Sequence, residues 1–203
     1  MRINAPDSNE ARTRLLGLLR NKSGSAAIEF AFLAPLLTLM LLGTIELGRA
    51  INMHRVFATA TDATGDLVAR EQYMGTSSSD AQNNLDSMML SVKELMQPYD
   101  PSSLQLGIFS VQASPTDATD TRVVWSYSYN GKSVPSKCAT YALPSGLVPK
   151  GGSAIVVESS YVFKPLFTII MPGNMTWTDK SFHSPRNSCV DYVKGDNCST
   201  LSC

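Results

Sequence analysis

The chain has 203 residues and a mass of 22.0 kDa, which favours one domain, or one domain with an accessory segment. Its 17 basic and 17 acidic residues cancel, and this balance argues against a nucleic-acid binder, which needs a basic excess to neutralise phosphates. Apolar residues make up 43% of the chain and charged residues 17%, so disorder throughout is excluded. The charge is uneven, because the first 24 residues hold five basic and two acidic side chains. A basic leader therefore precedes a mildly acidic remainder.

An apolar run follows the basic segment. Sixteen residues from Phe30 to Ile45 carry no charge, and extending the run towards the N-terminus gives twenty residues interrupted only by Glu29. Twenty helical residues reach about 30 Å, the thickness of a bilayer's hydrocarbon core. A buried helix of a soluble protein is the alternative, but such helices rarely run this long without a polar face. We predict a transmembrane helix over residues 25–49, with Pro35 inside its first turns, where it costs little backbone bonding.

The charges beside this run predict its orientation. The basic cluster lies just before the run, so the N-terminus is expected to stay in the cytoplasm and everything after about Arg49 to be exported. The cluster consists of Arg12, Arg14, Arg20 and Lys22.

The four cysteines all fall in the part expected to be exported, where disulfides persist. They are Cys138, Cys189, Cys198 and Cys203. Two disulfides are expected, although four cysteines permit three pairings and the sequence selects none of them. Since no pair or Cys/His cluster has the spacing of zinc ligands, no metal site is predicted.

The sequence offers two possible processing sites. An ordinary secretory signal is cut after its apolar run, and the small residues 58–60 are a candidate, but they lie some ten residues too far along, beyond Glu46 and Arg49. The residues before the run fit better, because a cut after Gly24 would give Ser25 a free ammonium.

After such a cut, the carboxylate of Glu29 would have a charged partner. It would lie one helical turn from the Ser25 ammonium, at the positive end of the helix dipole, and it could also meet the free amine of a neighbouring subunit. A glutamate that only reaches up to the lipid headgroups is the alternative interpretation of Glu29.

The junction and the helix resemble a known family. The matching residues are Ala27-Ile28-Glu29-Phe30-Ala31, Pro35-Leu36-Leu37 and Gly43-x-x-Glu46-x-Gly48-Arg49. With the basic leader, they look like the class III signal of type IV pilin-like proteins. They are similar in particular to the TadE-like minor pilins, or pseudopilins, of the tight-adherence (Tad, or Flp) pilus system, over about residues 24–70. The related TadG-like proteins carry an Asp-x-Ser-x-Ser motif, which this sequence lacks.

The resemblance implies cleavage by a prepilin peptidase between Gly24 and Ser25, with Glu29 and Phe30 serving assembly. It implies a single-pass protein of the bacterial inner membrane, with a periplasmic C-terminal region, that can enter an extracellular pilus. The expected partners are the peptidase, other Tad/Flp pilins and the inner-membrane assembly platform. No cofactor, nucleic acid or small-molecule substrate is implied.

Beyond the membrane the pattern is first helical. Apolar residues recur at helical spacing from Ala50 to Leu67, and we expect this stripe to pack on the protein's own sheet rather than on a partner. A break at residues 75–79, with serines suited to an N-cap, precedes a second amphipathic helix that Pro98 ends.

After residue 100 the pattern changes to strands. They are predicted at Leu104–Val111, Arg122–Tyr129, Ala154–Phe163 and Met175–Phe182, with a turn at Asn130-Gly131. The residues from 166 to 170 are predicted as a short helix or a loop, and the tail from Ser184 as a segment held by its cysteines instead of by a core.

The prediction is therefore an α+β fold, with a long helix, a second helix and a small antiparallel sheet. Its regions are a cleaved leader (1–24), a transmembrane helix (25–49), a helical region (50–97) and a sheet region with the cysteine-containing tail (98–203).

The sequence contains no catalytic motif, and we predict that the protein is not an enzyme. Of the two histidines, His54 is expected on the helix just outside the membrane and His183 after the last strand, at the surface. Two other functions stay open: an uncleaved, membrane-tethered binding domain that keeps its leader, and a secreted enzyme released after Ala60.

Overall fold

The computed structural model describes residues 23–196. The chain divides into two compact units, the first ending at Leu47 and the second beginning at Gly48. The first helix, α1 (Ser23–Arg70), belongs to both. The basic cluster of residues 12–22 and the last two cysteines, Cys198 and Cys203, lie outside the described residues.

The predicted α+β class is confirmed. After α1, the elements in chain order are β1 (Tyr73–Gly75), α2 (Ser78–Leu95), a 3-10 turn (Pro101–Ser103), β2 (Gln105–Ala113), β3 (Thr121–Tyr129), β4 (Ser153–Phe163), β5 (Met175–His183) and β6 (Asp191–Val193). The four predicted strands correspond to β2–β5, and the second predicted helix to α2. The Ser77 hydroxyl accepts the Asp80 N–H, so the predicted N-cap serine is also present.

The four long strands form one antiparallel sheet in the order β3-β2-β4-β5. Asn130 and Gly131 follow β3 with φ of 54° and 75°, which confirms the turn predicted at these residues. The chain then runs through residues 132–152 before it enters β4, which pairs with β2 instead of β3. Residues 166–170, for which a helix or a loop was predicted, form a turn within the β4–β5 loop.

The main core lies between one face of the sheet and the helices. The second unit's part of α1 contributes Met53, Phe57 and Ala60, all fully buried, and α2 contributes Leu85 and Met89 among others. The predicted stripe on α1 thus packs on the protein's own sheet, as expected.

The opposite face of the sheet carries a smaller cluster around Phe109 and Val156, covered by residues of the connection between β3 and β4. The helices therefore cover one face of the sheet, and a long connection covers the other.

The prediction that the tail is held without a core is wrong over its described part. Val190 is fully buried, and its carbonyl accepts the indole N–H of Trp125 at 2.7 Å. The strand β6 pairs in parallel with β1, and the Arg186 N–H bonds the Ala69 carbonyl at the end of α1. A core side chain and backbone hydrogen bonds therefore help to hold the tail. A polar sequence whose strand has only three residues does not predict such contacts.

Candidate anchoring and assembly site

The first unit presents an apolar surface around α1 between Phe30 and Ile45. Most of the large apolar side chains from Ile28 to Leu47 are exposed, and Phe32 retains 78% of its accessible surface, whereas Glu46 is buried. The hydroxyls of Thr38 and Thr44 each donate to the carbonyl four residues earlier, at 2.8 Å, so they place no unpaired donor on this surface. Apart from the bond that Pro35 cannot donate, a helix of this kind satisfies its backbone bonds internally, as a hydrocarbon environment requires.

Within the described residues, α1 is the one helix that is long and apolar enough to cross a membrane, by its length and composition. The candidate span begins at Gly24, and none of its most apolar window is buried inside the protein. The fold and this surface define a protein with one helix suited to a single-pass membrane anchor and a folded α+β unit behind it.

The predicted cleavage junction lies at the beginning of this apolar surface. Gly24, Ser25 and Glu29 are all exposed and helical. The Ser25 hydroxyl donates to the Glu29 carboxylate at 3.2 Å, one turn along the helix. The residue expected to become the mature N-terminus therefore lies within reach of the carboxylate expected to pair with it, and Phe30 stands exposed beside them.

Pro35 lies deeper in α1 than predicted. The described helix begins at Ser23, so Pro35 is well inside it and not in its first turns. A proline at this depth removes one backbone hydrogen bond from the helix, because it has no N–H to donate. The expectation that Pro35 costs little backbone bonding is therefore wrong.

The second unit's part of α1 is joined to the sheet by buried hydroxyl groups that sequence reasoning missed. The side-chain oxygens of Thr61 and Ser159 lie 2.7 Å apart, and both residues are buried. The Ser181 hydroxyl donates to the Thr61 carbonyl at 3.4 Å. Buried polar groups need such partners, so these bonds require α1 to sit on β4 and β5 at this point.

A close packing contact follows one turn later. A Cβ atom at Gly65 would lie 2.1 Å from Cδ2 of His183, so only glycine allows the imidazole to approach the helix this closely. His183 is half-buried at the end of β5, not at the surface after the strand. Its surface prediction is therefore wrong, because it took no account of a glycine on α1 that opens space for the ring. His54 is exposed on α1, as expected, and its ring meets Trp177 edge-on at 5.3 Å.

Polar side chains form a cluster at the sheet surface. Glu158 on β4 accepts from Lys180 Nζ at 2.6 Å and from the Tyr141 hydroxyl at 2.8 Å. Burial opposes ionisation of Glu158, but these two donors outweigh it and lower the pKa of the carboxyl. Burial and the Glu158 contact raise the pKa of Tyr141. The cluster joins neighbouring strands and the β3–β4 connection.

A polar cleft of about 750 Å³ lies where α1 ends and α2 begins. Of its two acidic groups, Glu71 and Asp80, the second accepts both the backbone N–H and the hydroxyl of Thr76, and these bonds lower the pKa of the Asp80 carboxyl. Asp80 is therefore engaged at the helix start, where a carboxylate also suits the helix dipole.

Two of the four predicted disulfide residues, Cys138 and Cys189, lie among the residues that the structure describes. Neither Cys138 nor Cys189 carries a free thiol among the described residues, and their pairing stays a prediction. No cluster of three or more His, Cys, Asp or Glu side chains with metal-binding geometry occurs between residues 23 and 196.

Comparison with known proteins supports the resemblance over α1. Residues 24–66 match the family described as TadE-like protein, and this confirms the resemblance recognised in the sequence. The match begins at the predicted junction and ends next to Gly65, and the family connects this segment with the Tad pilus system. No curated protein and no solved structure gives a significant match to the chain.

Proposed function

We propose that the protein is a minor pilin or pseudopilin of the Tad (Flp) pilus, cut by a prepilin peptidase between Gly24 and Ser25. The observation that carries the proposal is the contact of Ser25 with Glu29 at the start of an exposed apolar helix, inside the TadE-like match. Cleavage would add an ammonium at Ser25, and a carboxylate one turn away would neutralise it.

In this proposal α1 has two successive uses. It first anchors the protein in the bacterial inner membrane, with the leader in the cytoplasm and the folded unit in the periplasm. It then packs against other Tad/Flp pilins when the assembly platform extracts it, because a neighbouring helix is as apolar as lipid. Glu29 is the group that most needs a partner during this transfer. The protein has no catalytic role, and disulfides among Cys138, Cys189, Cys198 and Cys203 stabilise the folded unit.

The first experiment is the intact mass and N-terminal sequence of the protein from membranes, with and without the prepilin peptidase. We expect a start at Ser25 that depends on the peptidase. A start at Met1 would favour a tethered binding domain, and a start at Thr61 a secreted product; either would overturn the pilin assignment. The same sample, digested without reduction, identifies the disulfide pairs.

The second experiment tests Glu29. We expect Glu29→Ala and Glu29→Gln to be cut normally and to reduce pilus assembly, because each leaves the new ammonium without its carboxylate. Glu94→Ala, which removes an exposed glutamate from α2, is the matched control and should assemble normally. Normal piliation in both Glu29 variants would contradict the assembly role.

A further inference from the structure

The β4–β5 loop, residues 164–174, exposes an apolar surface outside α1. Leu166 and Ile169 retain 63% and 76% of their accessible surface, and Met175 at the loop's end is also exposed. Phe167 and Ile170 between them are half-buried. Contiguous exposed apolar side chains on a folded unit indicate a surface that meets an apolar partner.

The base of this loop contacts α1 shortly after its apolar run has ended. Phe163 and Met175 are directly paired across β4 and β5, and the loop connects them. The Arg49 guanidinium lies 5.8 Å from the centre of the Phe163 ring. Arg49 is the second residue of its unit, and it lies four residues after the last residue of the uncharged run, Ile45. By connectivity alone, the loop begins beside the point where the chain would leave the bilayer.

One aromatic group at the loop base, the half-buried Trp177, is of the kind that favours the boundary between lipid and water. Its ring stacks on the buried Phe163 at 5.0 Å. Aromatic rings with one polar atom concentrate at the headgroup level of membranes.

The charged side chains near the loop base are of both signs, and they too suit the boundary between lipid and water. A small cleft of about 170 Å³ is lined by Arg49 and Lys164, with Asp100 as the acidic group facing them. The two cations can meet lipid phosphates while their stems lie along apolar surface.

We propose that residues 164–174 dock onto the lipid surface of the membrane in which α1 is anchored. Leu166 and Ile169 enter the boundary between headgroups and acyl chains, and Arg49 and Lys164 face the phosphates. The inference rests on the proposed anchoring of α1 and adds a second membrane contact, made by the folded unit itself. Extraction into a pilus would then require this contact to break as well.

The test uses the full chain in vesicles of phosphatidylethanolamine and phosphatidylglycerol, with or without brominated acyl chains that quench tryptophan. An extra tryptophan is placed by Ile169→Trp, or by Ser145→Trp as the matched control. Both positions are exposed. Ser145 shares a cavity with Thr121, near the opposite end of the sheet, and the eleven residues of β4 separate the two ends by about 35 Å.

We expect brominated lipid to remove a larger share of fluorescence from Ile169→Trp than from Ser145→Trp. Equal quenching in vesicle-bound protein would overturn the docking of the loop. A blue-shifted but unquenched Ile169→Trp would overturn it too, since the loop would then be covered by protein. Chain that fails to float with the vesicles would contradict the anchoring itself, so the two failures are distinguishable.

A second pair of variants uses the native Trp177 as reporter. Ile169→Asp places a carboxylate in the apolar boundary, and Ser145→Asp places one at the control position. We expect Ile169→Asp to lose most of the Trp177 quenching by brominated lipid and Ser145→Asp to keep it. Unchanged quenching in Ile169→Asp would also overturn the docking.

Discussion

The two parts of α1 use the same apolar residue types in opposite ways. Phe32 in the first unit is 78% exposed, whereas Phe57 in the second unit has no accessible surface. The difference lies in how far the apolar surface extends around the helix. It surrounds the first part between Phe30 and Ile45, and it is a stripe on the second, where Arg55, Asp62 and Asp66 occupy the remaining positions. A complete apolar surface suits lipid or neighbouring helices, and a stripe suits one sheet.

The largest expected effect comes from the two phenylalanines themselves. We expect Phe57→Ala to lower the free energy of unfolding by about 3–5 kcal/mol, because it opens a cavity in the core. The matched Phe32→Ala should stay within about 0.5 kcal/mol, since it removes no contact with the folded unit. Chemical unfolding in detergent, followed by tryptophan fluorescence, measures both. Equal losses would contradict the division of α1 into two environments.

The buried hydroxyl bond between α1 and β4 gives the next effect. We expect Thr61→Val to cost about 1 kcal/mol, because the Ser159 hydroxyl loses the shorter of its two buried hydrogen bonds and keeps the one to the Asp179 carbonyl at 3.3 Å. Thr59→Val changes an exposed position nearby and is the control. The double variant Thr61→Val/Ser159→Ala should cost less than the sum of the single changes, since both single changes remove the same hydrogen bond. Additive costs would mean that the two hydroxyls are not coupled.

Two glycines of α1, both in the second unit, compare a closely packed and an open position of the helix by an added methyl group. Gly65→Ala forces the His183 ring to move and should cost about 1–2 kcal/mol. Gly48→Ala meets nothing within 4 Å and should stabilise the helix by up to about 1 kcal/mol. Thermal unfolding compares them. If His183→Ala fails to relieve the cost of Gly65→Ala, the packing contact is not its cause.

The smallest effect is electrostatic and confined to the second unit. Because the pKa of Glu158 is lower when folded, its ionised form stabilises the fold above the unfolded pKa. This contribution is lost as the pH falls through the lower, folded value. We expect the free energy of unfolding to fall less steeply below about pH 5 in Glu158→Gln than in the unchanged protein. The difference should be less than about 1 kcal/mol, since Lys180 is exposed and its charge is screened. Identical pH profiles for both proteins would contradict the Glu158–Lys180 contribution.

Local patterns predicted the regular parts of this fold well. The stripe from Ala50 to Leu67, the serine N-cap of α2 and the four long strands each depend on residues close together in the chain. The short strands β1 and β6 escaped prediction, because three residues carry no periodicity and their pairing joins positions more than a hundred residues apart. The joining of Thr61 to Ser159 escaped for the same reason.

The candidate site, too, was predictable only where it depends on residues close together in the chain. The sequence alone predicted the apolar helix, which the structure confirms, and the Gly24/Ser25 junction and the role of Glu29, which stay predictions; each depends on spacing within a few turns of one helix. Only the tertiary structure decided that His183 packs against Gly65, that Val190 accepts the indole N–H of Trp125, and that Phe163 lies beside Arg49. These contacts arise when the sheet closes on α1, and their free energies depend on distances that no local pattern encodes.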